Sequence, residues 1–458
     1  MRHPWVQFVG AASFCWVSLV AAADRDDGDW RAGVARALIT PETPVVLGGY
    51  ANRRDPMAGV RQDLFVKALA LEDATGHRSV LITCDHLGLR AVNADPVCER
   101  IGAASGLARA QILLNFSHTH TGPSQAHAPD APSYLESHQV EALYHYTRWL
   151  QDRIVETALA ALADLRPARL GHATGVAGFV MNRREPTDAG IVLGHNPRGP
   201  ADRSVPILRV LDPAGRMRAL VFGAACHNTT IPPGDNRVHG DYAGVAQAVI
   251  EASFPGAQAM FIQGCGGDCG PYPTGSVELA EDHGRSLGGE VCRVAATGRF
   301  ATIAGPLRTL LARPKLPLAR LPDAAGIEAM KNSPAAWKRW VGRMLEERQR
   351  TGQPGPSHHA APVALWQFGR DLTLVGLSGE PVVDYVALIG EELGPQRLWI
   401  AGYCNDVFGY LPSVRILSEG GYETRGLYSG EAFAPEVESV IRETVRDLSR
   451  QAGRQFAR

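Results

Sequence analysis

Asn115-Phe116-Ser117-His118-Thr119-His120-Thr121-Gly122-Pro123 closes an apolar run over 111–116 and turns abruptly polar. A short apolar run bounded by turn-forming residues predicts a buried strand that ends where the histidines begin. The same switch recurs along the chain. The run 219–225 gives way to Cys226-His227-Asn228, and 258–262 to Gln263-Gly264-Cys265-Gly266-Gly267-Asp268. The run 372–377 ends in Ser378-Gly379-Glu380, and 398–401 leads into Cys404-Asn405-Asp406. Further strands are predicted over 64–71, 79–84 and 364–368. Apolar residues at three- and four-residue spacing predict helices over 140–165, 242–253, 276–296, 334–350, 381–393 and 435–451. Strands alternating with helices define an α/β protein, here a mixed β-sheet core flanked by helices in a single large domain. In open α/β folds the carboxyl ends of strands are where loops converge on a ligand. Five strand ends carrying His, Asp, Glu or Asn beside small residues therefore point to one shared polar site.

The 458 residues exclude a disulfide miniprotein. With 46 Lys plus Arg against 47 Asp plus Glu, no cationic excess exists to bind a polyanion, which argues against nucleic acid as a partner. Residues 1–23 read as a cleavable signal peptide: Arg2 and His3, an apolar run over 6–20, then Ala21-Ala22-Ala23 before Asp24. The run is shorter than the ~20 residues that span a bilayer. The mature chain, 24–458, is expected to be secreted or periplasmic with no stable membrane span. Seven cysteines remain after the leader, an odd number, and Cys265 and Cys269 are close enough in sequence to bridge. The loop 351–361 reads as a surface excursion, and oligomeric state is left open.

His118 and His120 stand at i and i+2, which on an extended backbone places both side chains on one face, a common beginning of a zinc site. His227 and Glu380, each leaving a strongly apolar strand, are the candidates to complete it. Two plainer roles compete: a satisfied buried histidine at 227, and at Glu380 a charge facing the dipole of a helix beginning at Pro381. The glycine-rich stretch 263–270 is either a tight turn or a close approach to ligand. It is not GxGxxG and lacks the Lys-Ser/Thr of a phosphate loop.

Several motifs, taken in order, carry a family resemblance. They are Ile39-Thr40-Pro41, Gly48-Gly49-Tyr50-Ala51, His118 through Pro123, Asn182-Arg183, Asn196-Pro197, Gly240-Asp241, Gly379-Glu380, and Asn405 with Tyr410. Over nearly the whole mature chain the sequence resembles the catalytic domain of neutral, non-lysosomal ceramidases, zinc amidases that split ceramide into sphingosine and fatty acid. The resemblance implies Zn2+ held by His118, His227, Glu380 and Tyr410, with His120 and Arg183 supporting the ligands or touching substrate.

Two departures stand out. Where the family has Gly-Asp-Val-Ser-Pro, with the serine proposed as nucleophile, this chain reads Gly267-Asp268-Cys269-Gly270-Pro271, so Gly270 removes that nucleophile. Cys269 is a poor replacement, since neighbouring side chains on an extended backbone point to opposite faces. Zinc-activated water, with His120 or Asp268 as general base, is the expected attacking group. The family's following β-sandwich domain is also not expected, because the sequence stops at Arg458. The expectation is a zinc-dependent hydrolase of a small-molecule or lipid substrate, cleaving an N-acyl amide. The alternatives are ester, lactone or glycosidic hydrolysis, or a non-catalytic binding protein. The last is disfavoured because every expected ligand is present. Trp337, Trp340 and Met344 form one helix face, expected to pack onto the main body.

Overall fold

The computed structural model describes Met1 and residues 30–131, 133–334, 336–352 and 355–454. Apart from Met1, the expected leader lies outside the described residues. The apolar runs pair into two stacked sheets. The larger has, in spatial order, Gln258–Gln263, Met217–Ala224, Ser204–Leu211, Arg166–Val176, Trp30–Leu38, Phe65–Asp73, Arg78–Cys84 and Ile112–Phe116, with Ala301–Ile303 added alongside Arg166–Val176. The smaller has Leu307–Ala312, Val363–Phe368, Leu372–Leu377 and Leu398–Ala401.

Each strand of the large sheet sends alternate side chains to two different cores. From Phe65–Asp73, Leu69 and Leu71 enter a cluster shared with Trp366, Phe368, Leu374 and Trp399 of the smaller sheet. Val66, Ala68 and Ala70 point the other way, to Val97, Ile101, Leu150 and Ile154 of the helices Ala91–Ser105 and Ser137–Ala163. Helices Asp241–Ser253 and Val277–Ala296 cover the other half of that face. Asp384–Leu393 and Val437–Gln451 cover the outer face of the smaller sheet. The layers run helix, sheet, sheet, helix. Burial on both faces is why these strands read as continuous apolar runs rather than as alternating ones. Among the described residues no helix is long and apolar enough to cross a membrane.

Within the two sheets three neighbouring strand pairs are parallel, and each is joined through a helix. Arg78–Cys84 reaches Ile112–Phe116 through Ala91–Ser105, Met217–Ala224 reaches Gln258–Gln263 through Asp241–Ser253, and Leu372–Leu377 reaches Leu398–Ala401 through Asp384–Leu393. The polar segments found in the sequence follow the carboxyl ends of these strands. Two isolated bridges, Asn115 to Cys404 and Gly264 to Ala401, fasten the ends of the two sheets to each other.

Three expectations change. The helix expected from Pro381 begins at Asp384, and Glu380–Pro381 instead pairs in parallel with Tyr410–Leu411. Glu380 therefore has no helix dipole to face. Cys265 and Cys269 are both free. The helix Ala336–Arg350 packs first on Ala324–Lys331, with Val341, Leu345 and Ile327 forming a small cluster of their own that takes in Trp340 and Met330. The side chain of Trp337 lies outside the described residues.

Trp366 tests the stacking of the sheets. It is fully buried between them and its Nε1 donates to the Ala110 carbonyl at 3.0 Å. Trp366→Ala is expected to lower the unfolding free energy by about 3–5 kcal/mol, read as a lower urea midpoint at unchanged slope. A loss below about 1 kcal/mol would show that the two sheets do not share a core.

Candidate metal centre and its cavity

The segments carrying the histidines lie side by side. Thr119 bridges in parallel to Asn228, and the His120 N–H donates to the Asn228 carbonyl at 3.2 Å. His118 itself has φ of 62°, in the left-handed region. The extended-chain geometry expected for His118 and His120 therefore does not hold locally, and a turn brings the rings together. Their centroids are 4.9 Å apart, and His227 lies 5.0 Å from His118 and 5.7 Å from His120. One ring nitrogen from each of the three lies within 4.8 Å of the other two. Glu380 arrives on its short strand directly opposite Tyr410. Its Oε2 sits 3.0 Å from His227 Nε2 and 3.4 Å from His118 Nε2.

Bonding on the far side of the rings fixes what these contacts are. His118 Nδ1 donates to the Leu87 carbonyl and His227 Nδ1 to the Gly266 carbonyl, both at 2.6 Å. Each neutral ring then presents a lone pair at Nε2, the tautomer seen when an imidazole ligates a metal and its other nitrogen is anchored by a carbonyl. Two lone pairs aimed at a carboxylate oxygen repel unless a cation or a proton lies among them. Both ring nitrogens of His120 are buried with no hydrogen-bond partner among the described residues. Imidazoles and one carboxylate are a donor set that suits zinc, and the residues present fit such an ion.

Protonation states point the same way. Burial and the Arg183 guanidinium push the His227 imidazole down to about 4. Burial, with His118 and His227 close by, takes His120 well below the usual imidazole range. Burial alone would raise the Glu380 carboxyl; His118 and His227 hold it well below the ordinary carboxylate range only when positive charge lies on their Nε2 side, the place a bound cation would take.

Around the cluster, Arg183 gives Nη2 hydrogen bonds to the Gly267 carbonyl at 2.6 Å and to the Tyr410 hydroxyl at 3.0 Å, while its Nε donates to Glu423 Oε1 at 3.2 Å. The Tyr410 ring stacks 6.4 Å from His227. Tyr50 lies edge-on to His120 at 4.9 Å, and a Cβ on Gly49 would meet His120 Cγ at 2.4 Å. This contact, and the Gly49 φ of 87°, require glycine there. Tyr428 donates to Glu380 Oε1 at 2.5 Å. No spacing in the sequence singles out Tyr428, which belongs to no strand or helix.

The glycine-rich stretch is explained by packing. A Cβ on Gly267 would meet the Glu380 carbonyl oxygen at 2.6 Å, and one on Gly266 the Cys226 nitrogen at 2.7 Å. The loop is wedged between the His227 and Glu380 segments, bare because those backbones come so near. Asp268 is buried behind it, accepting from the Val383 N–H at 2.7 Å and Asn182 Nδ2 at 3.2 Å. Burial pushes its carboxyl up to about 6. A Cβ on Gly270 would meet nothing nearer than Arg183 Cδ at 3.9 Å.

Above the cluster opens a cavity of about 1240 Å³, reached by His118, His120, Glu380, Tyr410 and Tyr428 at its base. Ile191 and Leu193 of the hairpin Val180–Asn196 and Met330 and Trp340 of the two-helix unit supply apolar walls. Neither Arg183 nor Asp268 lines it.

A four-layer α/β fold with a buried imidazole–carboxylate cluster at converging strand ends is the class of protein these features define. Solved ceramidases share this fold. A ceramidase complexed with C2 superposes with a TM-score of 0.71 at 18% identity, over 94% of this chain and 77% of that one. Neutral ceramidase from Pseudomonas aeruginosa gives 0.69 at 19% identity, over 94% and 76%. No protein-family model and no curated protein matches the sequence.

The buried imidazoles set a pH dependence. His227 and His86 both sit near 4 in the folded chain, chiefly through burial, and near 6.5 when unfolded. Between these values only the unfolded chain takes up the protons, so folding stability falls as pH drops from 6.5 to 4, on the order of 3 kcal/mol for each ring. Asp268, gaining folded-state protons from about pH 6 downward, and Asp85, also raised by burial, act oppositely, while His120, held down by burial, adds to the loss from the other two rings. The melting temperature of metal-free protein is expected to fall steadily from pH 6.5 to 4.5. A flat profile in calorimetry would contradict the buried neutral rings.

Proposed function

We propose that the chain is a zinc-dependent hydrolase of N-acyl amides that acts after export. The observation that carries this reading is the pair of imidazole Nε2 lone pairs, fixed by carbonyls behind them, facing one carboxylate oxygen at 3.0 and 3.4 Å. His118, His227, Glu380 and Tyr410 would hold the ion. Carbonyl anchoring orients His118 and His227 for that role, and the Arg183 hydrogen bond keeps the Tyr410 hydroxyl in place. Bound zinc would polarise a substrate carbonyl and lower the pKa of water to about 7. Likeness of fold to ceramidases, which are amidases, supports amide hydrolysis. The charged start and apolar run within residues 1–23 support export.

His120 takes the proton in this scheme. Its ring nitrogens have no other partner among the described residues, and burial keeps them unprotonated near neutral pH. It can accept a proton from the attacking water and return it to the leaving nitrogen. Arg183 orients Tyr410 and ties it to the Gly267 carbonyl and Glu423. Asp268, with both oxygens engaged by Val383 and Asn182, holds the loop that carries the His227 anchor Gly266; as a general base it is the weaker of the two. Gly270 offers no nucleophile. The Cys269 thiol is pushed up by burial and lies against the Pro200 carbonyl, which leaves water to attack.

Metal analysis and turnover test this together. Purified protein is expected to carry about one zinc, and His118→Ala to lose it along with activity on N-acyl amides. His120→Ala is expected to retain zinc while kcat falls by ~10²–10⁴; a fall of less than tenfold removes His120 as the base. No bound metal after zinc reconstitution would end the proposal. Gly270→Ser is expected to fold normally, with a melting temperature within about 2 °C of the parent, since an added Cβ meets only Arg183 Cδ at an ordinary contact distance of 3.9 Å.

A further inference from the structure

Resting on the zinc reading of the centre, we infer that Glu423 is its positioning residue: Glu423 fixes the Arg183 guanidinium, which in turn fixes the Tyr410 hydroxyl as an ion ligand. The other proposed ligands have holders of their own, carbonyls behind His118 and His227 and the Tyr428 hydroxyl on Glu380. The Tyr410 hydroxyl has Arg183, whose Nη2 donates to it at 3.0 Å. A long, many-jointed side chain keeps a partner still only when its own head is held. The same Nη2 donates to the Gly267 carbonyl at 2.6 Å, and Nε donates to Glu423 Oε1 at 3.2 Å. Contacts at two nitrogens of one planar head fix its plane, so the Glu423 contact stops the guanidinium from turning about Nη2 and away from Tyr410.

Glu423 is itself pinned. It is fully buried, and its Oε2 accepts from Arg184 Nη1 at 2.6 Å. Arg184, also buried, reaches on to Glu419 Oε2 at 3.0 Å and the Gly420 carbonyl at 2.8 Å. Each carboxylate oxygen takes one guanidinium, so Glu423 cannot swing toward either without losing the other. The two arginines lie on the strand Val180–Thr187 and Glu423 on the short turn Tyr422–Arg425, whose Tyr422 lines the cavity and whose ring lies 5.4 Å from that of Tyr410. Joining a turn to a strand does not call for buried charges, since well-packed apolar side chains do it as well or better. A carboxylate shared between two guanidiniums supplies what apolar packing does not, a fixed direction for the Arg183 head.

Zinc affinity, read by competition with a chromogenic chelator and needing no substrate, tests this. Arg184→Met is compared with Arg184→Met/Glu423→Met. Replacing both halves of the buried pair by apolar side chains is expected to keep the fold, and only the second variant leaves Arg183 Nε without its carboxylate. Arg184→Met is expected to stay within threefold of the parent Kd, and the double variant to bind zinc at least tenfold more weakly than Arg184→Met. With Tyr410→Phe added to both, the Glu423→Met step should cost less than threefold, because the hydroxyl that Arg183 holds is gone. Loss of a nearby negative charge would weaken zinc equally with and without that hydroxyl, and such a result overturns the inference. A double variant within threefold of Arg184→Met, with only its melting temperature lowered, marks a merely structural role and overturns it too. If the double variant does not fold, Glu423→Asp, which keeps the charge and withdraws the oxygens, replaces it: at least a threefold loss in the parent and less than twofold in Tyr410→Phe supports the inference, and any other result overturns it. A parent that binds no zinc ends the metal reading and this inference together, whereas a parent that binds zinc beside an unaffected double variant removes Glu423 alone.

Discussion

Two imidazole lone pairs and a carboxylate oxygen meet within 3.0 and 3.4 Å in an interior where His118, His227 and Glu380 are each at most 2% exposed. Like poles at that distance in a low-dielectric setting are costly. The surrounding structure is arranged so that they cannot part. The Leu87 and Gly266 carbonyls lock the ring faces, Tyr428 holds the outer carboxylate oxygen, and Glu380 shares a two-residue pairing with Tyr410. A cation there would turn this repulsion into coordination, so the rigidity that makes the empty arrangement unfavourable is what would favour a bound ion.

Rigidity of that kind needs a frame. Each of the three segments follows a strand of a parallel pair crossed by a helix, and the strands are buried on both faces. The large sheet supplies the histidines, the smaller one Glu380, and bridges from Asn115 to Cys404 and Gly264 to Ala401 keep the sheet ends in register. The glycines at 266 and 267 let the loop slide between those ends without side chains to push them apart.

The frame was legible where strands are buried on both sides. The runs ending before His118, His227 and Glu380 stood out, and each forms a strand with nearly the expected bounds. Trp30–Leu38 and Arg166–Val176 did not, because arginine, glycine, proline and histidine interrupt them and several of their residues remain exposed. Nor does a single chain record that there are two sheets, since apolar runs look alike whether a helix or another sheet covers them. In the site, His118, His120, His227 and Glu380 were reachable from strand ends alone. Tyr410 came only through family resemblance. Tyr428, placed by a loop through one hydroxyl contact, left no pattern at all.

The candidate metal cluster and the cavity walls come from different parts of the molecule. The metal cluster is built from ends of strands held in three extensive cores, whereas the cavity walls come from the hairpin Val180–Asn196 and a two-helix unit with a small core of Ile327, Val341 and Leu345. Changes to that unit disturb few contacts with the sheets, so wall residues can be exchanged at little cost to the frame. A chain with 18% identity to a ceramidase can therefore keep the fold closely enough for a TM-score of 0.71, while the residues of its cavity walls differ. Loss of a side chain at Gly270 belongs to the other half of that division. In the proposed hydrolase it leaves water as the attacking group, and Gly270 is not among the residues that line the cavity.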